Sequence, residues 1–241
     1  MIIIADAHIG QVARNQNVFF QMLQAFEKTD QDVIFLGDIF DLWIAMPRYE
    51  EEMHARFSAW CRYQKTNRTI GFMEGNHEFF LADERAETFT WCSKNAWQRD
   101  NTGVLFVHGD QINRKERMYL AFKKLTKNKI TKYLLRILPG GPSLIGSIKA
   151  VLNQMNNKNR SSIPEDEIEF FAESRFAEGI HTIFVGHFHR EYRYRNHKSK
   201  ELYVLPDWRS TQKITLYQER LKMVTTIHWK ELDMESKSRK Y

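Results

Sequence analysis

Five short polar clusters punctuate the chain: Asp6-Ala7-His8, Gly37-Asp38, Gly75-Asn76-His77-Glu78, His108-Gly109-Asp110 and Gly186-His187-Phe188-His189. Carboxylate, amide and imidazole together, with no thiolate, form the donor set of a hard-to-borderline divalent cation such as Mn²⁺, Fe²⁺ or Zn²⁺. The clusters hold too many such groups for one ion and about the number that two ions need. Two cations about 3.5–4 Å apart, sharing a water, hydrolyse phosphate esters. Taken alone, a Gly-Asp after an apolar run is usually a turn. Gly-Asn-His-Glu is more specific, and the spacing of His187 and His189 puts both imidazoles on one side of an extended segment. All five clusters, in this order, argue for a site.

The clusters share a context. Each follows a short apolar run that reads as a strand: Ile2-Ile3-Ile4, Val33-Ile34-Phe35-Leu36, Ile70-Gly71-Phe72-Met73, Val104-Leu105-Phe106-Val107 and Thr182-Ile183-Phe184-Val185. Strands that each end in ligand-type residues place those residues along one sheet edge, where open α/β sheets bind their ligands. Between them, Phe19 to Phe26 has helical spacing, with Phe19, Met22, Leu23 and Phe26 on one face, and Glu50 to Tyr63 reads likewise. Residues 201–206, 213–217 and 222–229 read as strands closing a second sheet. His54, His181, His197 and His228 fit no cluster and are expected to be structural or surface residues.

The ordered set resembles the calcineurin-like metallophosphoesterases, whose pattern is D-x-H, G-D, G-N-H-[DE], a lone His and G-H-x-H. The resemblance runs from about Met1 to His189 and implies an α/β fold, a four-layer αββα sandwich. It implies that Asp6, His8 and His189 hold one metal, that Asn76, His108 and His187 hold the other, and that Asp38 bridges them. Mn²⁺ is the first expectation for the two divalent ions, and the ligand set would also accept Fe or Zn. His77 would stabilise charge on the phosphoryl group or protonate the leaving oxygen. The chemistry agrees: a carboxylate has two oxygens with which to bridge, and imidazoles and an amide keep the ligand charge low. Each ligating His should donate its second ring N–H to a carbonyl or carboxylate, with Asp41 and Asp110 as candidates.

Three longer segments narrow the resemblance: Gly37 to Ile44, Asn76 to Leu81, and Leu205-Pro206-Asp207-Trp208. They are similar to the UDP-2,3-diacylglucosamine pyrophosphohydrolases of the lipid A pathway, which split a UDP-linked diacyl sugar into UMP and lipid X. Two departures stand out. His77 occupies the place where that group usually has Arg, and Gln111-Ile112-Asn113-Arg114-Lys115 replaces further acidic residues. The reaction type survives both; the substrate does not follow as firmly. A dimetal phosphodiesterase or phosphatase acting on a soluble nucleotide or a nucleic-acid end is the alternative, and His77 favours it.

One domain is expected over 1–241, with residues ~113–163 inserted as a helical lid. Residues ~115–137 alternate apolar positions with Lys123, Lys124, Lys127, Lys129, Lys132 and Arg136. Pro139-Gly140-Gly141-Pro142 then breaks the helix, an apolar run from Leu144 to Leu152 follows, and Pro164-Glu165-Asp166-Glu167 starts another helix with acids in its first turn. Apolar faces with a basic rim suit an acyl chain, a membrane surface or both. In the resembling enzymes an acyl-binding helical insertion stands at this point. The contrary expectation is an ordinary amphipathic helix pair with solvated lysines.

Charge and composition set outer bounds. The 241 residues carry a formal net charge of +6, which favours an anionic partner. The positive charge concentrates in the insertion and in Lys237 to Lys240, so the inner-membrane surface is the expected partner rather than nucleic acid. No apolar stretch approaches the roughly 20 residues of a membrane span. Met1 leads directly into the first strand, without a signal peptide, and Cys61 and Cys92 lie outside the clusters. A cytoplasmic protein with free buried thiols, peripheral at the inner membrane, is the expectation. Oligomeric state is not legible.

Overall fold

A computed structural model describes residues 1–10, 13–99, 102–113, 125–137, 146 and 163–232. All five expected strands are present, as β1 (Ile2–Ile4), β2 (Val33–Phe35), β4 (Ile70–Met73), β8 (Val104–Val107) and β9 (Thr182–Val185). One sheet of six strands runs β13-β12-β1-β2-β4-β6, and one of five runs β10-β11-β9-β8-β7. Here β6 is Trp91–Ser93, β7 Ala96–Arg99, β10 Tyr192–Arg195, β11 Glu201–Val204, β12 Lys213–Gln218 and β13 Met223–His228. A two-stranded pair, β3 (Trp43–Ile44) with β5 (Glu78–Phe79), stands apart from both.

Period-2 alternation explains the layering. Ile2, Ile4, Val33 and Phe35 face α1 (Ala13–Phe26) and α2 (Glu52–Gln64), where Phe19, Leu23, Phe26 and Phe57 cover them. The intervening residues Ile3, Ile34 and Leu36 face the second sheet and meet Val104, Phe106 and Phe184. On the far side Leu105, Val107, Ile183 and Val185 pack on Ile168, Ala172 and Phe176. Those three belong to a helix over Glu165–Ala177. The order is helices, sheet, sheet, helix: the expected αββα sandwich.

Two features depart from the sequence reading. Residues 201–204 do enter the second sheet, but β12 and β13 join the first, with β12 antiparallel to β1. The reason lies at a short helix over Trp208–Thr211, which Asp207 caps by accepting from Ser210 N. Trp208 N also donates to Ala5 O, so the chain is drawn across to the first sheet before β12 begins. The second departure is the β6–β7 connection between the sheets. Trp91 and Trp97 stack there with centroids 4.1 Å apart, and Gly71 leaves the room, since a Cβ on it would lie 2.2 Å from Trp91 Cζ2.

Within the segment expected to form a lid, a helix over Lys129–Ile137 is described; after α3 (Leu81–Glu84) it is α4, followed by α5 (Glu165–Ala177) and α6 (Trp208–Thr211). Most of the basic run, the 139–142 break, the 144–152 apolar run and the Lys237–Lys240 tail lie outside the described residues. The expected helix start at Pro164 is present, with Glu165, Asp166 and Glu167 in the first turn of α5. No helix among the described residues is long and apolar enough to cross a membrane.

Candidate metal centre

The carboxyl ends of β1, β2 and β4 in one sheet and of β8 and β9 in the other open onto the same edge. The loops that leave them are tied together. Asp6 N donates to Gly37 O at 3.1 Å, His8 N to Asp38 O at 2.9 Å, and Gly186 N to His108 O at 2.9 Å. His187 N donates to Asp6 Oδ2 at 2.7 Å, a bond across 181 residues.

This brings the seven expected ligands together. Asp6, His8 and His189 form one group whose ligand atoms lie within 4.8 Å of one another, and Asp38, His108 and His187 form a second. Asn76 joins the second, its Oδ1 lying 3.1 Å from both His108 Nε2 and His187 Nδ1. Asp38 stands between, its Oδ2 3.8 Å from His8 Nε2 and its Oδ1 3.5 Å from His108 Nε2. His77 is also central: with His8 and Asp38 it makes a third group, and its Nε2 is 3.8 Å from Asp38 Oδ2.

Asp6, His8, Asp38, Asn76 and His108 are all at most 4% exposed. Yet Asp6 Oδ1, His8 Nε2 and Asp38 Oδ2 have no hydrogen-bond partner among the described residues. Buried polar atoms are normally bonded, and leaving one unpaired costs about 1–3 kcal/mol. Orphans of two acids and an imidazole converging on one point fit bound cations. Without cations the charges strain one another. Burial, with the Asp38 charge, pushes Asp6 well up. Burial and His77 hold His8 well below the usual imidazole range. Burial would raise Asp38 too, but His77, His108 and His8 outweigh it and hold its carboxyl well down. Burial and the His108 charge lower His187 to about 3.

The backbone pays for this convergence. Asp6, His8, Asp38, His187 and His189 all have φ between +43° and +72°, the left-handed region that side chains disfavour. The extended path expected for His187-Phe188-His189 is therefore absent. The strand ends at Val185, the chain bends, and the two imidazoles go to different groups.

The supporting shell is partly as expected. His108 Nδ1 donates to Leu36 O at 2.9 Å. His77 Nδ1 donates to Asp41 at 2.6 Å, but to its main-chain carbonyl, not its carboxylate. The Asp110 charge acts on His108 and His187. Glu78 was missed. Its buried carboxylate accepts from Asp38 N (2.9 Å), Ile39 N (3.0 Å) and Gly75 N (2.8 Å), clasping two ligand loops. Burial and the Asp38 charge push its carboxyl up to about 7 against those donors. The signal was available, since an acid directly after a metal-site Asn-His has a reason to be buried.

The four histidines outside the clusters are structural or exposed. His54 accepts from Glu51 N in a capping box and stacks on Trp43; His181 contacts Thr182; His228 caps Lys230; His197 is exposed. Cys61 is buried and Cys92 half-buried, both as free thiols.

The sequence profile described as calcineurin-like phosphoesterase matches residues 1–217. The chain belongs to that family. A calcineurin-like phosphoesterase is a metal-dependent phosphoester hydrolase, so the cations that fit the orphaned donors are divalent metal ions. Among curated proteins the chain is similar to the UDP-2,3-diacylglucosamine hydrolase of Aromatoleum aromaticum, 26% identical over 217 residues, covering 86% of this chain and 88% of that protein. The enzyme of the same name from Cellvibrio japonicus is 24% identical, covering 86% and 90%. Among solved structures, a cold-active protein-tyrosine phosphatase of a Shewanella species aligns over 95% of this chain and 77% of its own, at 13% identity and a TM-score of 0.48.

In this phosphoesterase residues 125–137 reach the candidate centre. Lys127 Nζ donates to Gly75 O at 2.5 Å, next to Asn76. Leu135 of α4 packs into a small cluster with Leu42, Ile44, Tyr49, Phe79 and Phe80, and Tyr49 Oη donates to Leu135 O at 2.8 Å. Two basic residues of α4 pair with the domain: Lys132 with Asp83 and Glu84, and the exposed Arg136 with Glu84. Ile130, Tyr133, Leu134 and Ile137 are exposed, from 42% to 73%. The helix thus turns its apolar stripe outward, the reverse of an ordinary surface helix.

Proposed function

We propose that this phosphoesterase hydrolyses the pyrophosphate link of a UDP-diacylglucosamine-type lipid precursor, releasing UMP and a lipid X-like product. The observation that carries the dimetal part is the convergence of orphaned buried donors on Asp6, His8 and Asp38. The names of the curated relatives support the substrate class. In this reading Asp6, His8 and His189 would hold one ion, Asn76, His108 and His187 the other, and Asp38 would serve both.

The ions, Mn²⁺ first with Fe or Zn admitted by the same donors, supply Lewis acidity and a water of lowered pKa. The chain does the rest. The N–H of His77 fixes Asp38 Oδ1 at 2.9 Å and leaves Oδ2 free to serve as a ligand. The ring of His77, anchored at Nδ1 by the Asp41 carbonyl, turns Nε2 toward the centre. From Nε2 it would stabilise charge on the phosphoryl oxygens or pass a proton to the leaving oxygen. Water oxygen bonds to phosphorus as the opposite P–O bond, to the leaving phosphate, breaks in line.

Residues ~113–163 serve as the lid. The outward apolar stripe of α4 supports an acyl chain or a membrane interior as its partner. With Lys132 and Arg136 paired to acids, attraction to anionic lipid falls to the other basic residues of the insertion. The reading places the protein at the cytoplasmic face of the inner membrane.

The test is UMP release from UDP-2,3-diacylglucosamine in detergent by Mn²⁺-loaded protein, beside turnover of bis-p-nitrophenyl phosphate. Turnover of both supports the lipid reading. Turnover of the small diester alone favours the second reading, a phosphodiesterase or phosphatase on soluble nucleotides or nucleic-acid ends. The occurrence of His77, the general family residue, speaks for that second reading.

A further inference from the structure

A substrate joined through two phosphates carries a negative charge on each. The reacting phosphoryl group belongs to the ions, and its neighbour needs a cation of its own. Two cationic side chains of the described residues border the centre. Lys127, on the Asn76 side, is committed: Nζ donates to Gly75 O at 2.5 Å and lies 5.0 Å from the Phe79 ring centroid.

Arg209 lies on the other side. Its backbone N donates to Asp6 O at 3.3 Å, so the residue is fixed to the β1 ligand loop. Its guanidinium reaches toward Asp41, Nη1 to Oδ1 at 3.9 Å, and its side chain is 51% exposed. Asp41 is the residue whose carbonyl anchors the His77 ring, and its carboxylate lies over Gly10, where a Cβ would be 1.9 Å from Oδ2. Arg209 therefore stands above the rim formed by His8, Asp41 and His77. Its charge is felt at His8.

The contact with Asp41 does not use the guanidinium up. At 3.9 Å the two groups attract without a hydrogen bond, and so exposed a pair is worth roughly 0–1 kcal/mol. The fork of N–H donors stays available for a bidentate contact, which a phosphate matches better than any other group here. Little is lost by turning from Asp41 to a phosphate.

We propose that Arg209 is a substrate-binding side chain of this centre, taking the second, unreacted phosphate of a diphosphate-linked substrate while the reacting phosphoryl group sits at the metals. This rests on the dimetal reading above, but not on the identity of the lipid.

The test is calorimetric binding of UDP and of UMP to the Mn²⁺-loaded protein, with metal content checked after titration. Wild type binds UDP more tightly than UMP. Arg209→Gln lowers that preference by about ten-fold, and Arg209→Lys, with charge but no fork, falls between. Asp41→Asn separates binding from positioning, because it removes the acid but keeps the guanidinium. If Asp41→Asn reproduces the loss, or if Arg209→Gln leaves the preference unchanged, the assignment is overturned. A protein that shows the Arg209-dependent preference yet does not hydrolyse UDP-2,3-diacylglucosamine loses the lipid reading and keeps this one.

Discussion

Glu78 ties the Gly37-Asp38 loop to the Gly75-Asn76 loop, and its replacement by Gln tests how much of the site depends on that clasp. The carboxylate accepts three main-chain N–H bonds of 2.8–3.0 Å, two on Oε2 and one on Oε1. Gln keeps an oxygen for Asp38 N and Gly75 N but turns an N–H toward Ile39 N. One charge-assisted bond, worth roughly 1.5–3 kcal/mol, is lost and the other two fall toward neutral strength, about 1 kcal/mol each. These terms sum to about 2.5–7 kcal/mol; because the carboxyl is pushed up to about 7 and is only partly ionised at neutral pH, the low end, about 3 kcal/mol, applies and should lower Tm by about 6–12 °C in a domain of this size. Separated loops should also hold fewer ions. Thermal melting by circular dichroism, with metal content by mass spectrometry and turnover of bis-p-nitrophenyl phosphate, reads all three. Glu78→Asp should recover part of the melting temperature and the metal. Glu78→Ala is less informative: three buried donors left bare, about 1–3 kcal/mol each, rival the whole stability of a domain. A Gln variant that melts within about 2 °C of wild type, below the shift of a single kcal/mol, and still binds two ions would refute the clasp.

Chelation should lower Tm and Mn²⁺ should restore it, by about 2.7 kcal/mol at a hundred-fold excess over Kd; an unmoved melting curve would leave the orphaned donors unexplained. His77→Ala should keep two ions and lose roughly 10²–10⁴ in turnover of a small diester, whereas a lost ion would move His77 into the ligand set. Gly37→Ala should displace His108, because φ is +85° and a Cβ would lie 2.5 Å from Nδ1; Gly179→Ala, at φ +98° with open space, controls for backbone strain alone. Leu134→Asp, on the exposed stripe of α4, should raise KM for an acylated substrate far more than for bis-p-nitrophenyl phosphate, and equal effects would point to a merely structural helix.

What could be read beforehand followed from local causes. The strands before the clusters are short apolar runs, and their alternation set the layers: Ile2 and Ile4 outward, Ile3 inward. The seven candidate ligands, which the fold brings together, could be singled out because their chemistry has few other uses at strand ends. What escaped depended on distant parts of the chain. β12 pairs with β1 because Trp208 N reaches Ala5 O, a contact between residues 203 positions apart that no local pattern reveals. Glu78 stood in view within its cluster, but its clasping role did not, because two of its partners are backbone N–H groups about forty residues away. The pairing of Lys132 and Arg136 was not legible because the acids that meet them lie on α3, more than forty residues earlier.

The ligand loops show what this site asks of its fold. Five candidate ligands hold left-handed backbone conformations, at roughly 1–2 kcal/mol each, or about 5–10 kcal/mol together. A chain that adopted them only on meeting a metal would spend that energy from the binding itself, and its affinity would fall by several orders of magnitude. Here the strain is offset by the protein's own bonds: Asp6 N to Gly37 O, His8 N to Asp38 O, His187 N to Asp6 Oδ2 and the Glu78 clasp. Each joins one ligand loop to another, so no loop can relax without breaking a bond to its neighbour. Mutual restraint of this kind makes the ligands arrive together, and it places the most damaging substitutions at the residues that hold the loops as well as at the ligands themselves.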